Sequence, residues 1–169
     1  MKIGILSDSH DRVERVAAAL DLFRSRAVDR LIHCGDITSP RVIERFTDWA
    51  VDFVFGNCDW DLPGLKAAID AIGGRLHDPF GELEVAGRRI AWLHGHDAHL
   101  FQSLEAADHY DWLFYGHSHV HERHVTGRTH VVNPGALHRV RTPTVAIIDV
   151  ALNSLEFVPL DAADEPTGS

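Results

Sequence analysis

Cysteine is scarce in this chain, and its two thiols, Cys34 and Cys58, stand far apart. They form neither a CxxC pair nor a disulfide framework, so a reducing, cytoplasmic setting is expected. Long apolar runs are also missing. The opening MKIGILSDSH has only about four apolar residues together before it turns polar, too few for a signal peptide or a membrane span. Positive charge is short as well: 16 Lys and Arg against 25 Asp and Glu give a formal net charge of -9. A broad nucleic-acid-binding face needs clustered Lys and Arg to replace phosphate counterions, so nucleic acid is not an expected partner. Any anionic substrate then needs a local positive source. The GxSxG, GxxxxGK[ST] and GxGxxG patterns are absent, which leaves serine hydrolase, P-loop and Rossmann readings without support.

What the chain has in excess is histidine, 13 in 169 residues. Four of these, His117, His119, His121 and His124, fall within YGHSHVHERHV. The remaining composition, 45% hydrophobic and 24% charged, is that of an ordinary globular domain. A single domain over residues 1–160 is expected, followed by a frayed acidic tail over 161–169. Self-association into a homo-oligomer is compatible with this composition.

Residues 2–6 (KIGIL) form an apolar run ending in Ser-Asp, the pattern of a strand buried on both faces. Val13, Val16, Ala17, Leu20 and Phe23 follow at helical spacing, with Asp11 as the expected N-cap. This strand–helix unit repeats. Residues 31–33 predict a strand, and Ser39-Pro40 opens a helix to about Asp48. A third strand over 51–55 leads to a helix from Leu65 to Ile72, stopped by Gly73-Gly74. Beyond Gly74 the texture shortens. Hairpins are predicted for 82–85 with 88–93, 120–126 with 128–132, and 144–150 with 154–158, with a helix over 98–107 and a strand over 112–115. A parallel sheet joined to a mostly antiparallel one, with helices outside, is the expected α/β (α+β) architecture.

Residues able to bind metal recur at one kind of place, just after a buried strand. SDSH places Asp8 and His10, CGD places Asp36, and GNCD places Asn57, Cys58 and Asp59. HGH then places His94 and His96, and GHSH places His117 and His119. A lone Asp there is more often a cap or turn residue, and a lone His more often a satisfied or surface residue. Five such ends in series have a different meaning, because ligands of α/β sheets bind at the carboxyl edge of parallel strands. The set is too large and too rich in oxygen for a structural zinc site. It fits two metals. Carboxylate, amide and imidazole suit manganese, iron, nickel or zinc, and two such ions about 3.5–4 Å apart can clamp an in-line displacement. Glycines at 35, 56, 95 and 116 are expected to let the backbone approach the ions.

In that order, DSH, GD, GNCD, HGH and GHSH resemble the calcineurin-like metallophosphoesterase superfamily, in particular its small prokaryotic phosphodiesterase branch. The likeness runs from Ile3 to about Gly135 and takes in NPGA, Asn133 to Ala136, which resembles the family's NPGS. It implies a four-layer sandwich of two mixed β-sheets flanked by helices. It also implies two divalent ions, manganese first, with nickel, iron or zinc as alternatives. One ion would be held by Asp8, His10, Asp36 and His119, the other by Asp36, Asn57, His94 and His117, with Asp36 bridging. A small phosphodiester or phosphate-ester substrate would then be hydrolysed by a hydroxide shared between the metals.

The chain departs from the family at Cys58. Many relatives have GNHD or GNHE, whose His is credited with assisting the leaving group; Cys58 stands there instead, as in some small prokaryotic members. A thiol with a pKa near 8.5 is a weak donor and a poor general acid, so good leaving groups should suffer least. Asn57, Cys58 and Asp59 are the expected catalytic loop, with Asp59 supporting the loop or a ligand. His96 and His138 are candidate substrate contacts. His33, His77, His99, His109, His121, His124 and His130 are expected to be structural or solvated, and Cys34 buried and inert. Two rival readings are a catalytically weak or inactive scaffold of the same fold, and a nuclease.

Overall fold

The protein was analysed as a computed structural model, which describes residues 1–160. The expected acidic tail, 161–169, lies outside the described residues. The first half alternates strand and helix: β1 (Lys2–Leu6), α1 (Val13–Ser25), β2 (Arg30–His33), α2 (Pro40–Ile43), β3 (Val51–Phe53), α3 (Leu62–Ala71) and the short β4 (Arg75–Leu76). The second half runs β5 (Phe80–Val85), β6 (Arg88–Leu93), α4 (Ala98–Ala106), β7 (Trp112–Phe114), β8 (Glu122–Thr126), β9 (Thr129–Asn133), β10 (Thr144–Asp149) and β11 (Ser154–Pro159). No helix among the described residues is long and apolar enough to cross a membrane.

Two mixed sheets result, one of six strands in the order β11-β10-β1-β2-β3-β4 and one of five in the order β5-β6-β7-β9-β8. In the first, β1 to β4 are parallel while β10 and β11 run against them. In the second, β6, β7 and β9 are parallel and only the outer strands β5 and β8 are antiparallel. The second sheet, expected to be mostly antiparallel, instead has a parallel core of three strands between antiparallel edges. The cause is α4, which returns the chain after β6 so that β7 lies beside it in the same direction, while β8 is set on the far side of β9.

The apolar residues sort into three layers of contact. Ile3, Ile5, Ile32 and Val54 meet Ile90, Trp92, Trp112 and Phe114 between the sheets. Val16, Leu20 and Phe23 of α1, with Val42 and Ile69, cover the outer face of the six-stranded sheet. Leu104 of α4 covers Ala91, Leu113 and Val131 on the other. Helices, sheet, sheet and helix are thus stacked as four layers. Both faces of β1 and β2 are apolar because both are covered.

Several boundaries differ from those predicted. Asp11 does not cap α1, since its carboxylate accepts the Ser39 hydroxyl at 2.5 Å and so joins the start of α1 to that of α2. Helix α2 gives way after Ile43 to a 3-10 turn over Glu44–Phe46. Helix α3 begins three residues early because Asp61 accepts the Gly64 N–H. The third and seventh strands end at Phe53 and Phe114, short of the predicted residues 55 and 115.

At the end of the second sheet away from these loops, Asp111 ties three strands together. It accepts the Arg89 N–H at 2.9 Å and the guanidinium groups of Arg88 and Arg128 at 3.0 and 3.1 Å. Burial pushes its pKa up, but these donors outweigh burial and hold it below the usual carboxylate value. A depressed acid stabilises the fold above its unfolded pKa, and that contribution disappears as pH falls through the folded value. Asp111→Ala should therefore cost about 1–3 kcal/mol near pH 7 in urea unfolding. The difference from the parent protein should vanish in acid.

Candidate metal centre

The carboxyl ends of β1, β2 and β3 in one sheet and of β6 and β7 in the other open toward the same end of the sandwich. The loops there are laced across the sheets. Asp8 N–H donates to the Gly35 carbonyl and His10 N–H to the Asp36 carbonyl, each at 3.0 Å. Gly116 N–H donates to the His94 carbonyl at 2.9 Å, and His117 N–H reaches Asp8 Oδ2 at 3.1 Å. Gly56 and Gly116 are placed where a side chain would collide with the site itself. A Cβ at Gly56 would overlap Asp36 Oδ1, and one at Gly116 would overlap Ser7 Oγ and crowd Asp8 Oδ2. The missing Cβ leaves room for Asp36 at Gly56, and for Ser7 and Asp8 at Gly116.

All seven residues read as ligands meet at this end. His119 Nε2 lies 3.2 Å from Asp8 Oδ1, and His10 Nε2 lies 3.2 Å from Asp36 Oδ2. The other oxygen of Asp36 faces His94 Nε2 at 3.4 Å, and Asn57 Oδ1 is 3.1 Å from the same nitrogen. His117 stands beside His94, with ring centroids 5.3 Å apart. Asp8, Asp36 and His94 are buried, whereas Asn57 and His117 are exposed at the mouth.

Two features suit this arrangement to cations. His94 Nδ1 lies 2.8 Å from the Cys34 carbonyl, which can only accept, so Nδ1 carries a proton and Nε2 is the atom turned toward Asp36 and Asn57, free to offer its lone pair when a cation replaces the proton there. His10 Nε2 is buried without a hydrogen-bond partner although a carboxylate oxygen lies close by. Nitrogen and oxygen atoms of imidazole, amide and carboxylate thus converge on one small space, the donor inventory of a coordination site. Groups of donor atoms within 4.8 Å of one another are formed by Asp8, His10 and His119, by His10, Asp36 and Cys58, and by Asp8, Asp36 and His94. Without a cation the imidazoles act as counter-charges. Burial would raise the pKa of Asp36, but His10, His94 and the Cys58 N–H outweigh it and hold it far below the usual range. Asp8 in turn raises that of His119.

The GNCD loop divides its duties. Asp59 does not touch the centre. One of its oxygens accepts the Ile37 and Thr38 N–H groups at 2.8 and 2.7 Å, and the other accepts those of Gly56 and Asp36 at 2.7 and 3.0 Å. Through these four contacts it is a positioning residue for both loops. Cys58 does border the centre. Its N–H donates to Asp36 Oδ1 at 2.8 Å, and its thiol is pushed up to about 11 by burial and by the carboxylates of Asp36 and Asp59.

His138 packs its ring 4.5 Å from that of His10, and its Nδ1 accepts from Arg12 Nε at 3.1 Å. His96 stands 5.4 Å from His94 at the exposed mouth. His121 and His124 lie away from the centre. His119 has a φ of +61° and sits in the loop, and β8 begins only at Glu122, so His119 and His121 never share a strand. His121 instead packs against Phe157, and His124 pairs with Glu105.

Two further residues support the loops, Asn133, whose role was not recognised from sequence, and His33, expected to be structural or solvated. Asn133 Nδ2 donates to the Gly116 carbonyl at 2.7 Å and to Ser118 Oγ at 3.0 Å, fixing the GHSH loop. His33 accepts the Gly35 N–H on Nδ1 and meets Ser9 Oγ with Nε2 at 3.0 Å; burial lowers its pKa to about 3 and keeps it neutral. An Asn or His at the end of an otherwise apolar strand is the available signal for such residues.

This chain belongs to the calcineurin-like phosphoesterase superfamily, whose domain matches residues 1–153. Among its relatives, phosphodiesterase MJ0936 of Methanocaldococcus jannaschii is 31% identical over 95% of this chain and all of its own length. Phosphodiesterase YfcE of Escherichia coli is 27% identical over 81% of this chain and 79% of its own. A solved archaeal phosphodiesterase structure superposes with a TM-score of 0.87 at 29% identity, covering 95% of this chain and 100% of that one. The resemblance read from the motifs and the four-layer fold it implied are both upheld.

Because Asp59 satisfies four amides, Asp59→Ala should destabilise the protein by at least about 1–3 kcal/mol in chemical unfolding. Asp59→Asn, which places an NH2 among donors, should also lose stability. Parent-like stability in both variants would show that the loops do not depend on this clamp.

Proposed function

We propose that the chain is a metal-dependent phosphodiesterase that holds two divalent cations at this end of the sandwich. The observation that carries the reading is the disposition of Asp36: its two oxygens face two different imidazoles, His10 and His94, each able to complete a separate coordination sphere. Asp8, His10, Asp36 and His119 would hold one cation, and Asp36, Asn57, His94 and His117 the other. When bound, such cations supply Lewis acidity and lower the pKa of a water that adds to phosphorus. The phosphorus–oxygen bond to the departing alcohol then breaks, and that oxygen takes a proton.

The residues of the chain provide the remaining functions. Two buried carboxylates against two divalent charges leave the centre positive, which draws an anionic diester to a chain of formal charge -9. His138 accepts from Arg12 on Nδ1, so its neutral ring carries the proton on Nε2 and can donate to a phosphoryl oxygen. His96 would offer a second contact at the mouth. Cys58, a protonated thiol, donates weakly where many relatives have imidazole, which favours esters of acidic alcohols such as aryl diesters. The oxygen-rich donor set favours manganese, with nickel, iron or zinc as alternatives. A cytoplasmic setting is supported by two free thiols.

Metal analysis of the purified protein, together with hydrolysis of an aryl phosphodiester in added manganese, is the primary test. Stoichiometric metal and turnover are expected; a protein that binds no metal and cleaves no ester is not this enzyme. Asp36→Ala should lose at least about 10²-fold in activity, the scale of removing one group that stabilises transition-state charge. Turnover at the parent rate would rule out the bridging role. Cys58→His should raise rates on diesters with poor leaving groups more than on good ones. An unchanged leaving-group dependence would place Cys58 away from the departing oxygen.

A further inference from the structure

Beside the candidate metal centre, a cavity of about 260 Å³ opens between α4 and β8. It is continuous with the centre, because Gly95, Gly116 and His117 line it and belong to the loops that carry His94 and His117. Phe101 and Tyr115 form a corner of two rings, with centroids 4.8 Å apart and planes inclined at 59°. Two carboxylates, Glu105 and Glu122, complete the wall. Both are held in place. Glu105 accepts from His124 at 2.8 Å and from the Thr126 hydroxyl at 2.7 Å, and Glu122 accepts the Tyr115 hydroxyl.

No Lys or Arg lines this cavity; besides His117, whose ring belongs to the metal centre, its basic group is His124. Even with His124 protonated, the two glutamates leave the wall with one net negative charge. The volume lies just below that of ordinary ligand pockets and admits one small group rather than a second large one. An aromatic corner edged by carboxylates suits a compact cation. A ring face attracts an ammonium group by about 0.5–2 kcal/mol, the larger value when water is excluded. An anionic group placed there would meet like charge in a half-enclosed space of reduced dielectric.

We propose that this cavity is the subsite for one ester arm of the substrate, and that it selects an arm ending in a compact ammonium group over a neutral arm, and a neutral arm over an anionic one. The preferred substrate is then a phosphodiester of an amino alcohol. This assignment rests on the phosphodiesterase reading, and the test separates the two.

The full-length, manganese-loaded protein is assayed on three p-nitrophenyl phosphodiesters that share the leaving group and differ in the second arm: choline, ethyl or carboxyethyl. The choline diester should exceed the carboxyethyl diester by about tenfold in kcat/KM, mostly through KM, as expected for one cation–ring contact plus charge. The double substitution Glu105→Gln, Glu122→Gln should flatten this order, bringing the ratio of choline to carboxyethyl diester close to one. Phe101→Ala should weaken the choline diester by about 2- to 10-fold. A second readout needs no turnover: phosphocholine titrated into the zinc-loaded protein should shift the backbone amides of Phe101 and Glu105, which inorganic phosphate should leave in place, and Phe101→Ala should raise the phosphocholine concentration needed by about 2- to 10-fold. Equal kcat/KM for the three arms, or phosphocholine shifts confined to other residues, overturns the subsite and leaves the phosphodiesterase standing. Absence of turnover on every arm overturns the phosphodiesterase instead, and the amide shifts then decide the subsite alone.

Discussion

The carboxylate of Asp59, accepting four backbone N–H groups, is the constraint on which the rest of the centre depends. It joins the loop after β2 to the loop after β3. The Asp36 side chain is thereby set between imidazoles that come from different sheets. Burial, with the neighbouring Asp36 charge, raises the Asp59 pKa, and the backbone amides oppose that rise. With Asp36 placed, His10 and His94 each face one of its oxygens. A displacement of either loop would therefore disturb donors on both sides of the sandwich at once.

The backbone around this clamp is far from relaxed. Asp8, His10, Asp36, His117 and His119 all have φ between +38° and +68°, the left-handed region that residues other than glycine avoid. Each such residue costs on the order of 1 kcal/mol or more and persists only where its surroundings over-determine it. Here the determinants are visible: the Gly35 and Asp36 carbonyls accept from Asp8 and His10, and Asn133 grips the loop that carries His117 and His119. Glycine would relieve the backbone at all five positions but would bring no donor atom. Strain and ligand supply are thus tied together, and hydrogen bonds within the loops offset the strain.

The candidate ligands were legible in the sequence because each follows an apolar strand, and strand ends of parallel sheets share an edge. The family followed from the order of those motifs. Other features were illegible for identifiable reasons. The parallel core of the second sheet depends on which strand α4 returns the chain beside, which local alternation of apolar residues does not encode. A supporting role for Asp59 was legible from its place beside the ligands, but its four amide partners were not, because they come from two loops that meet only in the fold. Histidine density misled. His121 and His124 share a motif with His117 and His119 yet serve a ring contact and an ion pair. The left-handed backbone at five donors left no trace in residue type, since Asp and His also occur in ordinary loops.

Several groups that hold the loops are not among those that would bind the cations, although the carboxylates of Asp8 and Asp36 also accept the His117 and Cys58 N–H groups. Asp59, Asn133, Ser9 and His33 lock the backbone through amides, carbonyls and hydroxyls, and all four are buried. Folding and chemistry are therefore written largely in separate residues. Such a scaffold can exchange a donor at its mouth, as at Asn57 or Cys58, without reopening the sandwich. One architecture can in this way host different leaving groups, different ions, or no reaction at all, while its interior remains the same.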